Sequence, residues 1–266
     1  MTVRQAVLLG LLHGPAELAP VSSSGHTTLL AWRRGWRYGE LDADARKRFE
    51  VALHAGTATA SLWLHRRELA STPPAVIALA CVPPALAGAL LERPIERRLG
   101  TPGSIAAGLL AGAGAMALAE WRGGSGRTRG QAGLRDGLAL GLAQSAALVP
   151  GVSRSGAARA AARWRGFAPG EARALSDAVG LPVTLGALAL KGREALASDR
   201  SEWASLGAGA AASFCSTVVS ASLLRAPARA GSLLPYSAYR AALASAVIRR
   251  LRQNAVDDRR LRRRRR

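Results

Sequence analysis

The sequence predicts an all-α integral membrane protein, a polytopic helical bundle with an internal duplication and two re-entrant or broken segments. Three observations carry that prediction. Long stretches lack any charge, a five-residue pattern recurs about half a chain apart, and each copy interrupts apolar sequence with Pro, Gly and Ser. At 266 residues, 49% hydrophobic and with 37 Lys+Arg against 17 Asp+Glu, the chain is neither acidic nor disordered. Its mean hydropathy of +0.09 decides little, because the Arg residues mask the uncharged stretches. Two cysteines, Cys81 and Cys215, both in apolar runs, exclude a disulfide framework and a cysteine zinc site.

Three runs are long enough to span a bilayer: Leu69 to Leu91 with 23 uncharged residues, Leu99 to Ala119 with 21, and Trp203 to Leu224 with 22. About 20 apolar residues rising about 1.5 Å each cross a hydrocarbon core of about 30 Å. Shorter runs follow the same logic: Gln5 to Ala16, Leu18 to Trp32, Val51 to Leu64, Gly137 to Ser153, Ala178 to Leu190 and Ala241 to Ile248, some too short to span. The apolar N-terminus is retained as mature protein, since Glu17 and a Ser-rich motif interrupt it before any signal-peptide cleavage site. Gly103 to Ala119 is rich in small residues, and Ser104, Gly108 and Gly112 at four-residue spacing suit close helix packing in lipid. In water such glycines would each cost roughly 1 kcal/mol against Ala.

Charged islands separate the runs and read as loops and helix ends: Arg33 to Arg48, His65 to Glu68, Glu92 to Arg98, Arg122 to Arg135, Arg159 to Arg173 and Lys191 to Glu202. One membrane domain covers residues 1–248, with repeat halves at about 1–120 and 130–248. Residues 249–266 form an Arg-rich tail expected to be disordered, with ten Arg and two Asp. A polybasic segment after an apolar helix favours anionic lipid headgroups. Nucleic acid is not expected as a partner, because the chain has no recognisable nucleic-acid motif or aromatic stacking strip.

Val21-Ser22-Ser23-Ser24-Gly25 and Val152-Ser153-Arg154-Ser155-Gly156 share the pattern V-S-x-S-G, 131 positions apart. Each follows an apolar segment that carries one polar residue, Glu17 or Gln144, upstream of a Pro. Pro and Gly break a helix, and the freed N–H groups and hydroxyls need polar partners that lipid cannot supply. Paired interruptions in two halves therefore point to a binding site at the repeat interface. Arg154 is a planar, permanently charged fork suited to phosphate oxygens, and Ser153, Ser155 and Gly156 add hydroxyl and backbone donors. In the first loop Glu17 and His26 flank Ser22, Ser23, Ser24 and Gly25. His13 lies four residues before Glu17, on the same face if that stretch is helical. A carboxylate, an imidazole and hydroxyls in one loop can run phosphoryl transfer, with Ser or His attacking and Glu orienting the His or holding a divalent ion. His54 and His65 lack such company, and His65 reads as a loop residue.

These residues resemble the undecaprenyl-diphosphate phosphatase family tied to bacitracin resistance. PAELAPVSSSGH (Pro15 to His26) is similar to its first motif, a carboxylate followed by L-P-[IV]-S-S-[ST]-G-H, and PGVSRSG (Pro150 to Gly156) to its second, P-G-x-S-R-S-G. Further similarity runs through Phe49 to Trp63, Cys81 to Glu92, Gly141 to Gly151, Leu181 to Leu190 and Pro235 to Ala244, nearly the whole chain except the tail. The resemblance implies a multi-pass hydrolase of the bacterial plasma membrane whose duplicated halves are internal inverted repeats. It would remove the terminal phosphate of a C55 polyprenyl diphosphate, regenerating the carrier for peptidoglycan synthesis; a homodimer is compatible with it.

Carried over position by position, the catalytic set is Glu17, Ser23, His26 and Arg154, with Ser22, Ser24, Gly25, Ser153, Ser155 and Gly156 binding substrate. The chain departs from the family four positions before the Glu, where an acidic residue or Gln is usual and His13 stands. His13 and Glu17 are the candidate ligands of a divalent cation, Mg²⁺ or Ca²⁺, although magnesium prefers oxygen. Ala19 replaces another apolar residue. The competing function is a polyprenyl-phosphate carrier that binds the same headgroup without hydrolysis; the set Glu17, Ser23 and His26 favours hydrolysis, because anion binding needs no carboxylate beside the arginine.

Overall fold

The computed structural model describes residues 1–36, 38, 41–123, 126–196, 200–224 and 231–264. Among them are eleven α-helices: α1 (Val3–Leu18), α2 (Ser23–Arg34), α3 (Ala43–Leu64), α4 (Arg66–Ala70), α5 (Pro74–Leu99), α6 (Pro102–Arg122), α7 (Leu134–Ser145), α8 (Arg154–Trp164), α9 (Pro169–Leu196), α10 (Arg200–Leu223) and α11 (Leu234–Arg264). Their starts follow local chemistry. Thr2 caps α1 reciprocally with Gln5, Asp42 caps α3 through the Ala45 N–H at 2.6 Å, and Pro74 and Pro102 occupy first-turn positions that need no donor.

Four helices are long and apolar enough to cross a membrane: Pro74–Ile95, Pro102–Arg122, Pro169–Arg193 and Arg200–Leu223. Three coincide with the expected runs. The fourth is longer than the 178–190 run, because Arg173 and Asp177 lie inside α9 and pair with each other at 3.5 Å. The spans leave Leu90, Leu190 and Leu223 at least 70% exposed, which is costly in water and free in hydrocarbon. The tail also differs from expectation: α11 continues through residue 249 to Arg264 instead of giving way to disordered chain.

Packing pairs α1 with α10 and α2, α5 with α7, and α8 with α7; α3 packs on α9, and α6 on α11. Further contacts join α3 to α10, α5 to α9, α1 to α3 and α7 to α9. The small-residue stripe of α6 serves a closer approach than helix on helix. A Cβ on Gly108 would sit 2.2 Å from the Pro150 carbonyl oxygen, and one on Gly112 would sit 2.1 Å from Arg240. Ser104 instead joins the capping box that starts α6: its N–H donates to Thr101 Oγ1 at 3.2 Å, and its Oγ accepts the Thr101 N–H at 3.0 Å.

Asp136, at the start of α7, ties the polar connection to the bundle. Its carboxylate accepts from Arg127 at 2.8 Å, Arg165 at 2.7 Å and the Gly133 N–H at 3.0 Å. Burial opposes the charge, but these donors outweigh it and hold the Asp136 pKa down at about 2.

Candidate active site

The two V-S-x-S-G segments, distant in sequence, meet at the N-termini of α2 and α8. Ser155 Oγ donates to the Ala19 carbonyl at 3.4 Å, and Arg159 donates to the Leu18 carbonyl at 2.9 Å. Arg240, on α11 and fully buried, reaches four backbone carbonyls: Pro20 beside the first segment, Gly151 beside the second, and Gly108 and Leu109 of α6. One planar guanidinium thus satisfies the Pro20 and Gly151 carbonyls that the two chain breaks leave free, and shares the Gly108 and Leu109 carbonyls with the ladder of α6. Nothing near Arg240 in the chain announces this role, since it reads simply as the charge that precedes the run Ala241 to Ile248.

Beside this junction lies a cavity of about 490 Å³, within the size range of ligand pockets. Its polar end is built from Glu17, Ser22, Ser23, Ser24, His54, Gln144, Ser153, Arg154 and Ser155. An apolar trough of α5 and α9 residues, among them Pro84, Ala85, Val183 and Leu188, continues to Lys47, Glu92 and Lys191. Lys47 and Lys191, the chain's two lysines, both donate to Glu92 Oε1.

At the polar end Ser23 Oγ donates to Glu17 Oε2 at 2.6 Å, and Arg154 Nη2 donates to Glu17 Oε1 at 2.5 Å. A second Arg154 nitrogen bonds the Gly180 carbonyl of α9, fixing the plane of the fork. Ser153 caps α8 by accepting the Gly156 N–H at 3.1 Å and lies 3.2 Å from Ser155 Oγ. Ser22, just ahead of α2, has φ +79°, a left-handed conformation that costs a non-glycine residue about 1–2 kcal/mol. Its Oγ is buried with no hydrogen-bond partner among the described residues, and so are His54 Nδ1 and Gln144 Oε1, whose residues line the same cavity. Buried orphan polar atoms are rare, and their convergence with a strained serine marks a place for a polar ligand. Two helix N-termini, whose partial positive charge favours anions, open onto it as well.

Gly25 belongs to the expected set in a different way: a Cβ there would come within 3.1 Å of Ser22 Oγ, so it keeps the loop compact. A Cβ on Gly156 would approach Arg240 and Met116 at 3.2 Å. His26 stands apart from the cavity lining. Its Nδ1–H donates to the Ser22 carbonyl at 2.7 Å, which leaves Nε2 to accept the Tyr239 hydroxyl at 2.8 Å. Both ring nitrogens are thereby used to hold the strained turn.

The reading of His54 needs correction. It stands beside His13, ring centroids 4.6 Å apart, and His13, Glu17 and His54 form a possible metal-binding group with one ligand atom from each within 4.8 Å of the others. Sequence reasoning missed it because His54 is on α3, with no neighbouring motif to announce it. His65 is no simple loop residue either: it is buried at the joint of α3 and α4, 3.7 Å from Asp177.

Comparison with known proteins agrees in extent. A family model described as bacitracin resistance protein BacA matches residues 6–246. An undecaprenyl-diphosphatase of Geobacter sulfurreducens is 35% identical over 269 residues, covering 93% of this chain and 98% of the relative. Those of Gemmatimonas aurantiaca and Salinibacter ruber are 34% and 33% identical, covering 86% and 90% of this chain and 91% and 96% of the relatives.

Proposed function

The chain belongs to the bacitracin resistance protein BacA family, and from that membership we propose how its cavity carries out the family's reaction. It is a multi-pass membrane undecaprenyl-diphosphatase, converting undecaprenyl diphosphate to undecaprenyl phosphate and inorganic phosphate. The diphosphate lies at the polar end, against Arg154, the Ser22 and Ser153–Ser155 hydroxyls and the N–H groups opening α2 and α8. The first isoprene units follow the trough between α5 and α9, and the rest of the chain remains in lipid.

The observation that carries the mechanism is the 2.6 Å bond from Ser23 to Glu17. Glu17 accepts the Ser23 proton as Oγ attacks the terminal phosphorus. The P–O bond to the bridging oxygen breaks, undecaprenyl phosphate leaves, and phospho-Ser23 remains. Water then attacks phosphorus, the Ser23 Oγ–P bond breaks as Glu17 returns its proton to Oγ, and phosphate leaves with the protons of the water. Arg154 neutralises the equatorial oxygens in both steps. His26 acts through Ser22, as a positioning residue. Carriage without hydrolysis would leave the serine–carboxylate pair without a task.

Glu17, with His13 and His54, would hold a divalent cation that neutralises phosphate charge as a Lewis acid. The Mg²⁺ or Ca²⁺ expected from the sequence would meet one carboxylate and two imidazoles there.

The two halves read as inverted repeats with re-entrant α1–α2 and α7–α8 hairpins. Exchanging α1, α2, α3, α5 and α6 with α7, α8, α9, α10 and α11 turns the α1–α10 contact into α7–α5, α3–α10 into α9–α5, and α1–α3 into α7–α9. It leaves α3–α9 and α6–α11 unchanged. All of these contacts occur. The basic end of α11 would rest on anionic headgroups of the cytoplasmic leaflet of the bacterial plasma membrane.

Phosphate release from undecaprenyl or farnesyl diphosphate by purified protein tests the activity, and acid-quench mass spectrometry tests the intermediate. Ser23→Ala should lose turnover and the phosphoserine while still binding substrate. A Ser23→Ala protein that releases phosphate at the wild-type rate would remove Ser23 as nucleophile.

A further inference from the structure

We propose that His13, Glu17 and His54 select a borderline transition-metal ion of the Zn²⁺ class rather than Mg²⁺ or Ca²⁺. The donor set decides the class. Mg²⁺ demands near-octahedral oxygen and keeps its waters, and Ca²⁺ takes six to eight oxygens. Two imidazoles and one carboxylate, with remaining positions open, are instead the ligand set of transition-metal hydrolase sites.

Three features of the group itself support binding. His13 and Glu17, four residues apart on α1, present side chains to one face, and His54 faces them from α3. Bonds of about 2.0–2.1 Å place tetrahedral ligands about 3.3 Å apart. The observed atoms, all within 4.8 Å of one another, need only side-chain adjustment to reach that spacing.

Second, the His13 tautomer is set by its neighbours. Ser213 Oγ donates its proton to the Leu53 carbonyl at 2.9 Å, so toward His13 Nδ1, at 3.3 Å, it can only accept. Nδ1 therefore carries the hydrogen, and the lone pair is on Nε2. A ligating histidine usually has its other ring nitrogen anchored in this way. Third, His54 Nδ1 is buried without a hydrogen-bond partner among the described residues, a nitrogen that an ion would satisfy. Glu17 already accepts from Ser23 and Arg154, but each carboxylate oxygen has two lone pairs, so both bonds can coexist with a metal. Glu17 and His54 also line the cavity, which opens the remaining coordination positions to phosphate oxygens.

The proposal shares Glu17 with the phosphate site, but its test needs no turnover and can fail while the phosphatase reading stands. Tag-free, full-length protein in detergent is stripped with chelator and titrated with Co²⁺ alone, following visible ligand-field bands. Expected are one Co²⁺ per chain, displacement by stoichiometric Zn²⁺, and bands that persist in large excess of Mg²⁺ or Ca²⁺. His13→Ala and His54→Ala should each weaken Co²⁺ binding by at least about tenfold, and Ser213→Ala, which removes only the anchor, by about tenfold. Absence of bands in the wild type, displacement of Co²⁺ by Mg²⁺ or Ca²⁺ at comparable concentration, or unchanged affinity in a folded His54→Ala protein would each overturn the assignment. The wild-type competition decides the ion class even if a variant fails to fold.

Discussion

Replacing Arg154 separates what its charge does from what its shape does. The guanidinium bonds Glu17 at 2.5 Å and the Gly180 carbonyl of α9 with another nitrogen, while its side chain remains 26% exposed to the cavity. Arg154→Ala removes the cation that the proposed mechanism sets against the phosphate and leaves Glu17, 14% exposed, with Ser23 as its one remaining hydrogen-bond partner among the described residues. Loss of a preorganised transition-state donor costs about 2.7–4 kcal/mol, or about 10²–10³ in kcat. Stranding a fully buried carboxylate costs about 3–5 kcal/mol of stability, and the partial exposure here puts the expected loss at the low end. Arg154→Lys keeps the charge as a single point donor, which cannot hold Glu17 and Gly180 while also bridging two phosphate oxygens. Its kcat should fall by about 10². Phosphate release from undecaprenyl diphosphate in detergent is the assay, with monodispersity on gel filtration as the control for folding. The double variant Glu17→Gln/Arg154→Ala should recover stability over Arg154→Ala without recovering turnover. An Arg154→Lys enzyme within about threefold of wild type would refute the reasoning, because charge alone would then suffice.

Other expectations test the frame around the site. Gly151 has φ +93°, and a Cβ there would lie 2.2 Å from the Ile105 carbonyl oxygen. Gly151→Ala should therefore lose about 2–4 kcal/mol from left-handed strain and overpacking together, read as a lowered Tm in detergent; an unchanged Tm would contradict the close approach. Asp136 has its pKa lowered to about 2 from an unperturbed value of 3.8, so its ion pairs stabilise the fold fully above about pH 4. That contribution is lost as pH falls through about 2, so the Tm difference between wild type and Asp136→Asn should shrink across that window; a constant difference would argue against the pair. Deleting Asp257 to Arg266 should leave hydrolysis in detergent intact and weaken binding to anionic vesicles, and lost specific activity in a folded truncation would tie the tail to the site.

How much of this was legible in sequence depends on whether a residue's partner is near it in the chain. Glu17, Ser23 and Arg154 announce themselves because a carboxylate, a hydroxyl cluster and an arginine in apolar sequence have few purposes other than binding or chemistry, and the recurrence of V-S-x-S-G suggests that the two loops belong together. Their bonds to one another follow that expectation. His54 and Arg240 carry no such sign, for their partners come from other helices: His13 and Glu17 from α1, and carbonyls from two loops and α6.

The same blindness shortened α9. Counting uncharged residues treats every charge as a boundary, yet Arg173 and Asp177 neutralise each other, and Asp177 also meets Arg159 at 3.4 Å. Charge in an apolar chain thus has two meanings, the end of a span or half of a buried pair, and only spatial proximity separates them. Arg240 adds a third meaning, a cation held by carbonyls alone in the described structure. A neutral replacement there would strand the Pro20 and Gly151 carbonyls of the two chain breaks, which lipid cannot satisfy. The chain breaks that bring Ser22, Ser23 and Arg154 to the cavity therefore depend on an arginine that is itself fully buried and outside the cavity lining.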